Sequence, residues 1–329
     1  MDTLIIGTRT SRLAMWQTEH IISLLQAAWP GLECRAEPFV TKGDKTLDQP
    51  LPQIGGKGLF TLELENALRD GRIHLAVHSL KDLPVENAPG LTLGAIVGRA
   101  DARDVLVGLS LEEIPLGGVV GTSSLRRQAQ LRRLRPDVTI RSIRGNVETR
   151  IRKVTAGEYD AAILAAAGVT RLGLEEHIAQ YLPLAAMLPA PGQGALAVQC
   201  RAGDAPTLEL LAAIHNPDAA AAVTAERAFL NGLGGGCATP VAAYAEWEPV
   251  SGERLSVSGE RLSVIGERLS GSGERLAGKR ELRLTGLVSA LDGKRQIRVT
   301  GSGVDGRILG MKLAEEALAR GAREILRHV

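Results

Sequence analysis

Residues 119–167 read VVGTSSLRRQAQLRRLRPDVTIRSIRGNVETRIRKVTAGEYDAAILAAA, and their pattern decides the fold. Val119–Gly121 reads as a strand, Ser123–Leu134 as a helix, Val138–Ile143 as a strand, Asn146–Ala156 as a helix and Tyr159–Ala167 as a strand. Such alternation predicts α/β units whose largely parallel sheets are covered by helices.

The same alternation precedes it. Leu4–Gly7 is a short buried strand, and Leu13–Trp29 carries Leu13, Trp16, Ile21, Leu24 and Leu25 at helical spacing. Cys34–Thr41 returns to strand, Phe60–Arg69 shows the stripe Phe60, Leu64, Leu68, and Ile73–Leu80 and Leu91–Val97 are strands. Two runs predict two α/β lobes with a ligand cleft between them. Pro189, Pro191, Gly192 and Gly194 interrupt the second run, and strand Ala195–Arg201 then returns the chain to the first lobe, making a two-crossing hinge. Beyond it, helix 219–230, the run Gly234–Gly236, strands Val241–Trp247, Glu281–Ala290 and Gln296–Thr300, and helix Gly306–Arg320 predict a small α+β domain. The expected units are 1–97 with 196–217, then 98–195, then 218–329. Residues 252–276 repeat GERLS every seven residues. A glycine in each unit and apolar spacing at +2 argue against a coiled coil and for an inserted, exposed loop.

Composition narrows the function. A net charge of +2 and 3% aromatics give no electrostatic or stacking basis for nucleic-acid binding. The cysteines Cys34, Cys200 and Cys237 lack paired spacing, so neither a disulfide framework nor a metal site is expected. The start MDTLIIGTRTSR lacks signal-peptide character, and no apolar run reaches the roughly 18 residues of a membrane span. A cytoplasmic monomer with no nucleic-acid or membrane partner is the expectation.

The candidate chemistry lies at element junctions. Cys237 follows three glycines, which allow close backbone approach; on spacing alone a presented thiol and a small buried hydrophobe weigh equally. Asp82 in HSLKDLP lies just past a strand end, where an interlobe site is built, with Lys81 beside it; alone it reads equally as a turn residue or a helix cap. Thr122, Ser123 and Ser124 open a helix and offer hydroxyls and free N–H groups to an anion. Arg126 and Arg127 in its first turn oppose the helix dipole and call for a compensating anion. Arg132, Arg133 and Arg135 read as a solvated basic face. His74 and His78 read as packing or hydrogen-bonded residues.

The segments TRTSRLAMWQT, GGKGLFTLELENAL, AVHSLKDLP, VGTSSLRRQAQL, IRGNVETR, LPAPGQGALAVQCR and TAERAFLNGLGGGC, in this order, resemble the porphobilinogen deaminase (hydroxymethylbilane synthase) family across nearly the whole chain. The resemblance implies two lobes like those of periplasmic binding proteins, with mixed, largely parallel sheets, and a small C-terminal α+β domain. It implies a dipyrromethane cofactor tethered by a thioether to Cys237, and head-to-tail joining of four porphobilinogen molecules with loss of ammonia. It implies Asp82 and Lys81 as catalytic residues. Cofactor contacts would fall on Ser11, Lys81, Asp82, Thr122, Ser123, Ser124, Arg126, Arg127, Arg144 and Gln193. Substrate contacts would fall on Arg9, Arg144, Arg150, Arg171, Lys57 and Phe60. The alternative from another class is a non-catalytic two-lobed receptor for carboxylated ligands, which leaves the glycine-presented Cys237 unexplained.

Overall fold

The computed structural model describes residues 3–45, 61–236, 239–250 and 280–327, so Cys237, Lys57, Phe60 and the 252–276 repeat lie outside the described residues. Strand β1 (Leu4–Arg9) runs straight into helix α1 (Arg12–Ala28), whose N-cap Ser11 accepts the Ala14 N–H. Ala14, Thr18, Ile21 and Leu25 form the buried stripe of α1. Ile21 and Leu25 pack with Leu4, Ile6, Leu75 and Val77 in one core. Strand β2 (Cys34–Phe39), helix α2 (Leu62–Arg69), β3 (Leu75–Ser79) and β4 (Leu91–Arg99) follow.

The second unit opens with β5 (Asp104–Gly108), a strand absent from the sequence reading. It continues through β6 (Val119–Gly121), α3 (Leu125–Leu134), β7 (Thr139–Arg141), α4 (Val147–Thr155), β8 (Ala161–Ala165), α5 (Ala166–Thr170) and β9 (Ile178–Tyr181). Strand β10 (Ala195–Arg201) then crosses back. The two five-stranded sheets share one plan, β2-β1-β3-β10-β4 and β7-β6-β8-β5-β9. Both are mixed, with a smaller parallel share than the alternation suggested. In each sheet two pairings are parallel and two antiparallel. The reason is that one strand inserts against the direction of its neighbours: β10 between β3 and β4, and β5 between β8 and β9.

Helices α6 (Ala205–Ala212) and α7 (Pro217–Gly232) lead to the antiparallel sheet of β11 (Val241–Pro249), β12 (Arg280–Ser289) and β13 (Gln296–Gly303), followed by α8 (Gly306–Ala319). Its core is Phe229, Leu282, Leu284, Leu309 and Leu313. No described helix is long and apolar enough to cross a membrane.

Candidate active site

Strand β3 ends in a single 3-10 turn, Leu80–Asp82, that lifts Asp82 into an exposed position while Leu80 and Leu83 stay buried. Leu80 is pinned from behind by the hinge loop. Gly192 adopts φ +78°, and a Cβ there would come within 2.9 Å of the Leu80 side chain, so a larger residue would displace the turn. Beside Asp82, Lys81 donates to Gln193 Oε1 at 3.3 Å. Burial pushes the Lys81 ammonium down to about 8, against the pull of Asp82 and with added repulsion from Arg127.

The opposing cations come from the second unit. Ser124 is the N-cap of α3 but its side chain makes no capping bond, and Thr122 Oγ1 accepts the Ser124 N–H at 3.2 Å. Ser123 Oγ donates to the Ile143 carbonyl at 2.8 Å, tying the start of α3 to the segment before Arg144. Arg126 and Arg127 are buried, and the anion their position calls for is internal. Asp104, the first residue of β5, accepts from Arg126 Nη1 at 2.7 Å, Arg127 Nη2 at 2.7 Å and Gln193 Nε2 at 2.8 Å. Burial alone would raise the Asp104 pKa; the two guanidinium groups reverse this and hold it far below the usual carboxylate range. Asp104 escaped the sequence reading because it is one acid before a short apolar run, DVLVG, that carries no periodic signal.

Arg150, on α4, donates to the Gly145 carbonyl at 2.8 Å. Burial pushes it down to about 10, with further repulsion from Arg127 and Arg144 and an opposing pull from Asp82. Arg144 is likewise lowered by burial. The structure thus couples Lys81, Asp82, Arg126, Arg127, Arg144 and Arg150 in one electrostatic cluster, with Gln193 bridging Lys81 to Asp104. Five cations stand against two carboxylates in it. The buried Nε groups of Arg126 and Arg127 have no hydrogen-bond partner among the described residues. An excess of fixed cations and an uncapped helix start suit a ligand carrying several carboxylates.

The remaining expected site residues are held by their own elements. Arg9 ends β1 and is felt electrostatically by buried His78. Ser11 uses its hydroxyl to cap α1. Arg171 donates to the Gly194 carbonyl at 2.7 Å and lies over the Trp16 ring, lining a hollow of about 330 Å³ with Trp16, His20 and Thr170. Arg132 and Arg135 do not form a solvated face. Arg132 donates to the Leu291 carbonyl of the third unit, and Arg135 to the Leu111 and Ile114 carbonyls and to Asp137; Arg133 is exposed. These arginines serve helix C-terminal packing because carbonyls and an acid surround them. His74 Nδ1 accepts the Ile5 N–H, a packing role as expected.

The Lys81 position carries a pH prediction. The ammonium is charged below about 8 and neutral above it, so kcat/KM for a carboxylated substrate should fall as pH rises through that value. A pH–rate profile checks this. Lys81→Arg, charged throughout, should remove that alkaline limb; a limb that persists in the variant assigns it to another group.

A family model described as porphobilinogen deaminase, dipyromethane cofactor binding domain, matches residues 4–209, and one described as porphobilinogen deaminase, C-terminal domain, matches residues 220–319. The porphobilinogen deaminase of Brevibacillus brevis is 44% identical over 327 residues, covering 98% of this chain and 96% of the relative. Those of Syntrophotalea carbinolica and Roseiflexus castenholzii are each 55% identical over 247 residues, covering 74% of this chain and 78% and 82% of the relatives.

Proposed function

The chain belongs to the porphobilinogen deaminase family, and from that premise we propose how its residues do the work. The enzyme is a transferase that joins four porphobilinogen molecules head to tail, releasing ammonia, into the linear tetrapyrrole hydroxymethylbilane; its cofactor is dipyrromethane. The observation that carries the residue-level reading is Asp82, exposed at a strand end and coupled to a cluster of cations.

Each porphobilinogen brings an acetate and a propionate, so every addition adds two negative charges to the cleft. Arg126, Arg127, Arg144, Lys81 and the hydroxyls Thr122, Ser123 and Ser124 hold the cofactor carboxylates, with Gln193 orienting Lys81 and Ser11 at the α1 start. Arg9, Arg144, Arg150 and Arg171 hold those of the incoming substrate, with Lys57 and Phe60, outside the described residues, as further substrate contacts. When bound, the dipyrromethane supplies the pyrrole carbon at which the chain grows. Ammonia leaves the substrate with the C–N bonding pair, and the methylene carbon keeps a positive charge shared with its ring nitrogen. Asp82 opposes that charge and takes part in moving the proton that each addition releases. The working units are 1–97 with 196–217, 98–195 and 218–329. The enzyme acts as a cytoplasmic monomer without nucleic acid or membrane, and the net charge of +2 supports the lack of a nucleic-acid partner.

Cys237 is the covalent anchor. Its thioether keeps the growing chain on the protein through all four additions. Intact-protein mass spectrometry of Cys237→Ser should find a folded chain with no added pyrrole mass, and Ehrlich's reagent should give no colour. A two-pyrrole adduct on that variant would place the anchor elsewhere.

A further inference from the structure

Helix α7 touches the segment that carries Asp82. The Arg227 guanidinium donates from Nη2 to the carbonyls of Pro84 at 2.6 Å and Val85 at 3.0 Å, and from Nη1 to that of Leu83 at 3.4 Å. These are the three residues that follow Asp82. The apolar side of the same turn rests on the same helix: Leu80 and Leu83 pack with Ala219 and Val223 of α7, and Val85 packs against the third unit's core. The preceding residue, Glu226, is fully buried. It binds Arg99 at 2.6 Å and accepts the Gly192 and Ala245 N–H groups, at 2.7 and 2.8 Å. Consecutive residues of α7 therefore key into the hinge and into the strand exit behind Asp82.

We propose that Arg227 is a positioning residue for the known reaction, holding the Leu80–Asp82 turn from the third unit so that the Asp82 carboxylate keeps one place. The proposal rests on the reading of Asp82 given above. A guanidinium suits the task because it presents several donors in a rigid plane to successive carbonyls; an ammonium is a point charge that cannot hold all three in that arrangement. An exposed carboxylate at the end of one helical turn takes its place from the backbone that carries it, and a small misplacement at a reacting centre can cost up to about a hundredfold in rate.

The test is steady-state kinetics on the holoenzyme with porphobilinogen, using Arg227→Met and Arg227→Lys and dipyrromethane content read with Ehrlich's reagent. Arg227→Met should load its cofactor and lose about 10- to 100-fold in kcat with KM changed by less than about threefold, with Arg227→Lys intermediate. In an Asp82→Asn background the Met substitution should cost less than about threefold more, because both changes act through one carboxylate. A kcat equal to the unchanged enzyme's, a loss confined to KM, or losses that multiply in the double variant would overturn the positioning role. Should Arg227→Met not fold, Arg227→Lys carries the same comparison. If the unchanged enzyme does not consume porphobilinogen, the functional reading fails, whatever the variants do.

Discussion

Asp82→Asn is expected to fold, load its cofactor and bind porphobilinogen, yet turn it over about a thousandfold more slowly. The substitution keeps shape and removes one charge. An opposite charge at roughly 4 Å, in surroundings of effective dielectric about 20, stabilises a cation by about 4 kcal/mol, which corresponds to about a thousandfold in rate. Asp82 is exposed, so little folding energy depends on it. The loss should therefore sit in kcat and leave thermal stability nearly unchanged. The variant has a second signature. Asp82 pulls the Lys81 pKa upward against burial, so removing its charge should move the alkaline limb of the pH–rate profile below about 8. Turnover near that of the unchanged enzyme would remove Asp82 from the mechanism.

Asp104→Asn should have the largest effect on stability. The carboxylate is fully buried and answers two buried guanidinium groups at 2.7 Å each. Removing its charge leaves Arg126 and Arg127 side by side with no other paired carboxylate among the described residues, a loss of about 3–5 kcal/mol for a broken buried pair. That lowers the midpoint of thermal unfolding by about 4–7 °C in a chain of this size unfolding as one unit. The pH dependence has a definite sign. The folded-state pKa of Asp104 lies below its unfolded value of about 3.9, so its contribution is complete above that pH and is lost as pH falls below it. The gap between the two proteins, wide at neutral pH, should begin to narrow as pH falls below about 3.9. Thermal scans from neutral pH down to about pH 3 would check this. A neutral-pH difference under about 1 kcal/mol would mean that the two arginines have another counter-charge.

The elements with strong periodicity were legible in the sequence. Val119–Gly121 and Ala195–Arg201 emerge with the bounds read from their apolar runs, and helices α1, α3, α4 and α8 differ from their readings by a residue or two at the ends. Strands β5 and β9 were not legible. Asp104–Gly108 opens on an acid and Ile178–Tyr181 mixes apolar and polar residues, and pairing makes them strands: β5 runs antiparallel to β8 on one side and β9 on the other. Of the site, Asp82 and the helix start at Thr122–Ser124 were marked by strand ends and hydroxyl clusters. The reading of Arg126 and Arg127 as awaiting an anion was right about the need. It could not see that Asp104 answers it from within the fold.

The sequence by itself determined most of the strands and helices, the succession of two α/β runs and a third α+β unit, and the residue types at each junction. These follow from neighbours along the chain, through apolar spacing, glycine and capping chemistry. Only the tertiary structure decided which charge meets which. Asp104 reaches Arg126 and Arg127, and Arg227 reaches the carbonyls of Leu83, Pro84 and Val85, more than 140 residues away. Such pairings exist only once sheets are ordered and helices docked, because electrostatic partnership depends on distance in space and on the exclusion of water, and neither is a property of local sequence.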